Sequence, residues 1–189
     1  VLKRLTYYVP NHYVINKVKN APLKYGLNQT EIRKIKVVVS MTSYPPRFNN
    51  IYLCLKSLLL QTYKPDRIIV YLGNDTLEEN LTEGMRSLQK FGIEYRFDKE
   101  KNLRSHKKYI YAMKEFPDDI IITVDDDSVY PKNTIESLIR NYRKHPSAVS
   151  ARRVHKITFE PNGKIKPYSS WRKEYRKEHE ESSSLIAVG

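Results

Sequence analysis

Three carboxylates in a row, Asp125-Asp126-Asp127, close the most apolar strand candidate in the chain, Ile120-Ile121-Ile122-Thr123-Val124. Adjacent acids repel one another. At the end of an apolar strand solvent relieves that repulsion only in part, so a compensating cation is favoured. Hard divalent ions take oxygen ligands, and Mn2+ or Mg2+ is commonly shared between one or two carboxylates and substrate phosphates. In an Asp-x-Asp turn one carboxylate reaches the metal while the other accepts hydrogen bonds from a ribose hydroxyl, and the metal offsets charge growing on a departing diphosphate. The competing reading is an acidic turn that is solvated or caps the helix beginning near Pro131. The apolar strand before the triplet and Tyr130-Pro131 after it favour the metal. Sequence neighbours cannot bracket a substrate by themselves, so an acid and base pair is disfavoured.

Other chemistry finds less support. His12, His106, His145, His155 and His179 show no paired metal spacing, and the single cysteine, Cys54, has no partner for zinc or a disulfide. Cys54 lies among Tyr52, Leu53, Leu55 and Leu58 and reads as core. The scattered glycines form neither a dinucleotide fingerprint nor a P-loop. Trp171 and Tyr168 suit either stacking on a sugar or base or packing within the fold, with packing favoured. Glu174, Glu178, Glu180 and Glu181 are acids in a highly charged stretch and read as a solvated face.

The elements that must position the triplet are legible from periodicity. Residues 1–34 form a basic, tyrosine-rich extension without a sustained period. Ile35 to Met41 is a β-branched run that reads as a buried strand, closed by the loop Thr42-Ser43-Tyr44-Pro45-Pro46. From Asn49 to Gln61, Ile51, Leu55, Leu58 and Leu59 recur at helical spacing with Cys54 on the same face. Arg67 to Leu72 reads as a strand, Leu81 to Phe91 as a helix stopped by Gly92, and Ile93 to Phe97 as a strand. A helix follows from Leu103 to Phe116, then the strand at Ile120 to Val124, a helix from Pro131 to His145, and a further strand at Ala148 to Val154. Alternating strands and helices with short connections predict an α/β fold, a mainly parallel sheet with helices on both faces. Ligands of such sheets collect beyond the carboxyl ends of the strands, where both the Thr42-to-Arg47 loop and the triple Asp fall.

Three segments carry a resemblance: Val39-Ser40-Met41-Thr42-Ser43-Tyr44-Pro45-Pro46-Arg47, Ser57-Leu58-Leu59-Leu60-Gln61-Thr62, and Ile120 through Asp127. Together they resemble the family-2-like bacterial glycosyltransferases of the GT-A fold, over about Ile35 to Val154. The resemblance implies a three-layer α/β/α sandwich, Rossmann-like, spanning residues 35–154 as a nucleotide-sugar-binding core. It also implies a nucleotide-diphosphate sugar donor, expected to be UDP-linked, a divalent cation (Mn2+ or Mg2+), and transfer with inversion to an acceptor hydroxyl. Carried onto this sequence, Thr42, Ser43 and Arg47 line the nucleotide pocket, Asp125 and Asp126 contact the donor, and Asp125 and Asp127 hold the metal. Arg104, Lys107 and Lys108 lie near the donor, where their role is to neutralise phosphate.

The sequence departs from the pattern in two places. Relatives carry an acid directly after the second strand to grip the base, whereas here Leu72-Gly73-Asn74 intervenes and Asp75 comes slightly later. The catalytic base and acceptor site are expected beyond the Asp-x-Asp; residues 155–189 read as the start of that region, with Ser184 to Val188 a further buried segment cut short at Gly189.

Composition narrows the partners. The chain has 34 Lys plus Arg against 21 Asp plus Glu, a formal charge of +13, which calls for an anionic partner. Nucleic acid is disfavoured, because no zinc-finger spacing, recognition-helix pattern or RNA-binding aromatic motif is present. No secretory leader or membrane-spanning run is legible, so the expected setting is cytoplasmic, with peripheral membrane contact through basic residues and a glycan or lipid-linked acceptor of surface polysaccharide synthesis. Two other readings stay open. A nucleotidyltransferase also clusters carboxylates around metal, but normally shows a glycine-rich loop after its first strand that Thr42 to Arg47 lacks. A non-catalytic domain binding nucleotide-sugar or nucleic acid accounts for the charge and the missing base.

Overall fold

The computed structural model of the chain describes residues 12–98, 103–175 and 184–187. Its contacts divide into two compact units, Val1–Glu136 and Ser137–Gly189.

The first unit is built on a four-stranded parallel sheet of β1 (Val37–Thr42), β2 (Arg67–Leu72), β3 (Ile93–Phe97) and β4 (Ile120–Thr123), in the order β3-β2-β1-β4. The central strands are buried on both faces, as their continuous Val and Ile content requires. On one face, Val38, Ile69 and Tyr71 pack with Ala112 of α4 (Lys107–Glu115), joined by Tyr111, Phe116 and Ile121. Strand alternation turns Val39, Met41, Ile68 and Leu72 to the opposite face. Among the fully buried side chains are Leu55, Leu58 and Leu59 of α2 (Ile51–Leu59) and Met85 and Leu88 of α3 (Glu83–Gln89). The elements have local causes. Thr82 caps α3 by accepting from the Met85 N–H, and Gly92 ends it with a φ of +113° that favours glycine.

The strand order places the site. β1 lies between β2 and β4, so the chain winds outward from β1 in one direction to β2 and β3 and in the other to β4. Loops leaving the carboxyl ends of β1 and β4 therefore diverge, which opens a crevice at that switch point.

The structure corrects several expectations. Residues 12–20 of the N-terminal segment form a helix, α1, where an irregular extension was expected; residues 1–11 lie outside the described residues. Residues 12–34 are tied to the sheet by partners far away in sequence. Lys56 Nζ donates to the Lys19 carbonyl, the Gly26 N–H to that of Phe91, and Arg33 and Asn28 both donate to the Asp66 carboxylate. β4, the most apolar strand candidate and expected to be buried, pairs only with β1 among the described strands, and Ile120 and Ile121 are half-buried. The expected helix start at Pro131 moves to Thr134: α5 spans Thr134–Lys144, with the Pro131 carbonyl taken up by the Thr134 N–H and hydroxyl. The expected helix from Leu103 opens as a 3-10 turn at Arg104–His106.

At Gly26 an added Cβ would stand 2.3 Å from Leu59 Cδ2 and 2.8 Å from Leu59 Cα. The second contact is backbone and no rotamer change relieves it. Gly26→Ala is therefore expected to destabilise the first unit by about 1–3 kcal/mol, seen as a lower urea midpoint at unchanged slope; a midpoint equal to wild type would contradict this packing.

In the second unit, β5 (Val154–Lys156) pairs antiparallel with β6 (Leu185–Ala187), so the strand expected at Ala148 to Val154 begins only at its last residue. Residues 156–172 fold back as a hairpin, with Phe159 opposite Ile165 and a turn at Gly163 (φ +81°). Trp171 packs edge-on to Tyr168 at 5.2 Å and donates its indole N–H to the Lys166 carbonyl, in line with a packing role, while Tyr168 remains 54% exposed. Glu174 pairs with Arg153 at 2.7 Å; Glu178, Glu180 and Glu181 lie outside the described residues.

Candidate functional site

The crevice at the ends of β1 and β4 is a cavity of about 610 Å³, within the range of small-molecule sites. Every residue that the resemblance assigns to the donor and metal lines it: Thr42, Ser43, Arg47, Arg104, Lys107, Lys108, Asp125, Asp126 and Asp127. Tyr44, Asp75 and Ser105 complete the lining. The acid displaced along the second strand's loop, Asp75, thus still reaches the cavity.

The three aspartates play unequal parts. Asp126 is turned inward and is only 8% exposed; one oxygen accepts from the Ser43 hydroxyl at 2.6 Å and the other from Arg47 Nη1 at 2.6 Å. It locks the β1 loop to the β4 loop. Asp125 accepts from Lys108 Nζ at 2.5 Å, and the largely exposed Asp127 accepts from Arg47 at 3.1 Å. Successive side chains point apart, so an Asp-x-Asp pair leaves its outer members facing the cavity while the middle one anchors.

Among the described residues no three His, Cys, Asp or Glu side chains converge as a metal-ligand set. The donor set is all oxygen and hard, with the outer carboxylates at the cavity wall. It fits a divalent cation that completes its coordination with substrate oxygens, and it does not fit an all-protein cage.

The cationic wall opposes these carboxylates. Lys107 is buried at 3% exposure, and burial lowers its pKa while Asp75 and Asp98 act to raise it. Arg104 has a φ of +52°, the left-handed region that a residue with a Cβ rarely occupies and that concentrates at ligand sites. The Arg47 guanidinium pKa is raised by its hydrogen bond to Tyr44 and then by Asp126. The Thr42 hydroxyl donates to the Tyr71 carbonyl at 2.7 Å and so holds β1 to β2.

Sequence reasoning missed the scaffold beneath the triplet. The N–H of Asp125 donates to the Tyr130 hydroxyl at 2.8 Å, and that hydroxyl also bonds the Asp125 carbonyl at 3.2 Å. Cys54 Sγ donates to the same carbonyl at 3.3 Å, and the Tyr130 N–H donates to Ser57 Oγ. Gln61 Nε2 donates to the Pro131 carbonyl and its Oε1 accepts from the Ile135 N–H. Cys54, Ser57 and Gln61 follow i, i+3, i+7 spacing, one helical stripe. That stripe of small polar groups inside an apolar face was the available signal. Burial pushes both the Cys54 thiol and the Tyr130 phenol to raised pKa values, so each serves as a neutral hydrogen-bonding group.

Tyr130→Phe keeps the ring and deletes the bridge. It is expected to lower stability by about 1 kcal/mol, because the Asp125 N–H loses this acceptor, and to weaken the binding of Mn2+ with a nucleotide about tenfold, as removal of groups that orient a metal ligand typically does. Titration calorimetry beside a thermal melt checks this, and an unchanged affinity would contradict it.

The model of a known family, "Glycosyl transferase family 2", matches residues 39–186. No curated protein matches the chain. Among solved structures, the mannosyltransferase PcManGT from Pyrobaculum calidifontis, in complex with GDP-Man and Mn2+, matches at 13% identity and a TM-score of 0.42, over 85% of this chain and 46% of its own. The chain thus spans a little under half the length of that structure.

Proposed function

The chain belongs to glycosyl transferase family 2, and we propose that the crevice binds a nucleotide-diphosphate sugar with a divalent cation and serves transfer of the sugar to an acceptor hydroxyl. The observation that carries this reading is the convergence of the outer carboxylates, Asp125 and Asp127, with Arg47, Arg104, Lys107 and Lys108 on one cavity. Acids alone suit a cation and bases alone suit an anion; both facing one cavity suit a metal diphosphate.

Asp125 and Asp127 hold the cation, Mn2+ or Mg2+. When bound, that ion neutralises charge on the departing diphosphate. Lys108 and Arg104 take the phosphate oxygens, and Arg's fork suits two of them at once. Asp75 lies on the same wall and supplies an acceptor for the nucleoside. Asp126, through Ser43 and Arg47, keeps the two loops at a fixed spacing, so the loop backbones need little reorganisation when the donor enters.

The donor is UDP-linked in this reading and the acceptor a glycan or lipid-linked sugar of a surface polysaccharide. Among the described residues no helix is long and apolar enough to cross a membrane. The positive charge suits peripheral contact with an anionic leaflet.

Calorimetric titration of UDP and GDP, with and without Mn2+, tests the proposal. Metal-dependent binding with UDP favoured supports it as stated. GDP favoured would overturn the uridine assignment, and binding of neither would overturn the donor site and leave a non-enzymatic domain.

A further inference from the structure

The triplet's charge is already met by the protein's own cations. Lys108 Nζ lies 2.5 Å from Asp125 Oδ1, and Arg47 Nη1 lies 2.6 Å from Asp126 and 3.1 Å from Asp127. A divalent ion on Asp125 and Asp127 draws on the same carboxylates, and at ligand distance its charge repels an ammonium or a guanidinium, so the ion and the protein's cations compete for them.

The two cations differ in what else holds them. Arg47 keeps the buried Asp126 whether or not Asp127 is taken. The Lys108 side chain has Asp125 as its partner, while its backbone is fixed on the first turn of α4, where the Lys108 carbonyl accepts from the Ser40 hydroxyl. Its flexible four-carbon stem can therefore swing without moving the helix. The cavity it swings into is the one that the diphosphate is proposed to fill.

Resting on the donor site proposed above, we propose that Lys108 is an exchange cation: it occupies Asp125 until a divalent ion displaces it, and then binds the diphosphate that accompanies the ion. Metal alone has to move the ammonium off Asp125 with no phosphate to receive it. Diphosphate alone has to pull it from Asp125 and leave that carboxylate bare. Together each ligand resolves the other's conflict, so metal and nucleotide bind with positive coupling, and by reciprocity each tightens the other by the same factor.

The variant Lys108→Met keeps the stem and removes the charge. Mn2+ binding without nucleotide, followed by the free Mn2+ signal in electron paramagnetic resonance, is expected to tighten several-fold. UDP affinity at saturating Mn2+ is expected to weaken, so that the coupling factor falls by about tenfold, within the usual range of such couplings. A phosphate ligand that did not compete for Asp125 would leave Mn2+ affinity unchanged, and a strut for the loop would weaken it; either result overturns the exchange. Lys108→Arg, which retains the pair in case the methionine variant fails to fold, is expected to weaken Mn2+ binding alone, and unchanged or tighter binding there also overturns it. If wild type bound UDP no better with Mn2+ than without, the donor-site reading itself would fall. Coupling in wild type with both variants unchanged sinks the exchange alone.

Discussion

Replacing Asp125 and Asp127 together by alanine is expected to weaken Mn2+-dependent UDP binding by about a hundredfold or more, roughly 2.7 kcal/mol, and to bring sugar transfer below detection. The fold should remain. Asp127 is 63% exposed and its loss costs about 0.5 kcal/mol or less, while loss of the 32% exposed Asp125 also removes its ion pair with Lys108, a further cost of about 1 kcal/mol. Asp126→Ala is expected to behave oppositely. It removes a buried carboxylate that satisfies both Ser43 and Arg47, so its main effect is a lower melting temperature with loosened β1 and β4 loops. Calorimetry and thermal melts on the same preparations separate the two classes. If the double variant bound UDP and Mn2+ as wild type does, the triplet would be an acidic turn and no metal site.

The second large effect is on stability. Gln61 is 1% exposed, and its amide bonds the Ser57 and Pro131 carbonyls and the Ile135 N–H. Gln61→Leu preserves volume and leaves these partners short of a hydrogen bond inside the protein. Each buried donor or acceptor left unmet costs about 1–3 kcal/mol, and Pro131 retains Thr134, so a loss of about 2–4 kcal/mol is expected in urea unfolding. Gln61→Glu keeps the acceptor for Ile135 and gives up the donor. A cost under about 1 kcal/mol for the leucine variant would show that the α2 stripe does not secure the loop.

Most of the element pattern was legible because it is local. β3 matches its expected bounds, and α2, α3 and α4 differ from theirs by frayed or 3-10 ends. What failed depended on partners distant in sequence. The apolar content of Ile120 to Val124 predicts a strand, but not that β4 pairs with β1 alone among the described strands, since strand order is set by the whole sheet. The segment before β1 has no period of its own; it is held by Leu59, Asp66 and Phe91. Pro131 looked like a helix start because proline suits a first turn, yet its carbonyl serves as the acceptor for Thr134, which begins α5.

The site divides in the same way. That Thr42 to Arg47 and Asp125 to Asp127 meet follows from their places at strand ends beside a switch point. Which aspartate turns inward, and that Lys108 pairs with Asp125, follows only from α4 packing beside β4 and from the bonds of Ser43 and Arg47 to Asp126. The stripe of Cys54, Ser57 and Gln61 was hidden because small polar residues within an apolar helix face pass for core filler.

In the function proposed for the crevice, a divalent ion binds at its β4 end together with a nucleoside diphosphate. Paramagnetic broadening of amide signals by substoichiometric Mn2+ in the presence of UDP tests it most directly. The strongest broadening is expected at residues 42–47 and 124–128, dependent on UDP and lost in the Asp125→Ala, Asp127→Ala variant. Broadening centred elsewhere, or identical without UDP and in the variant, would contradict it.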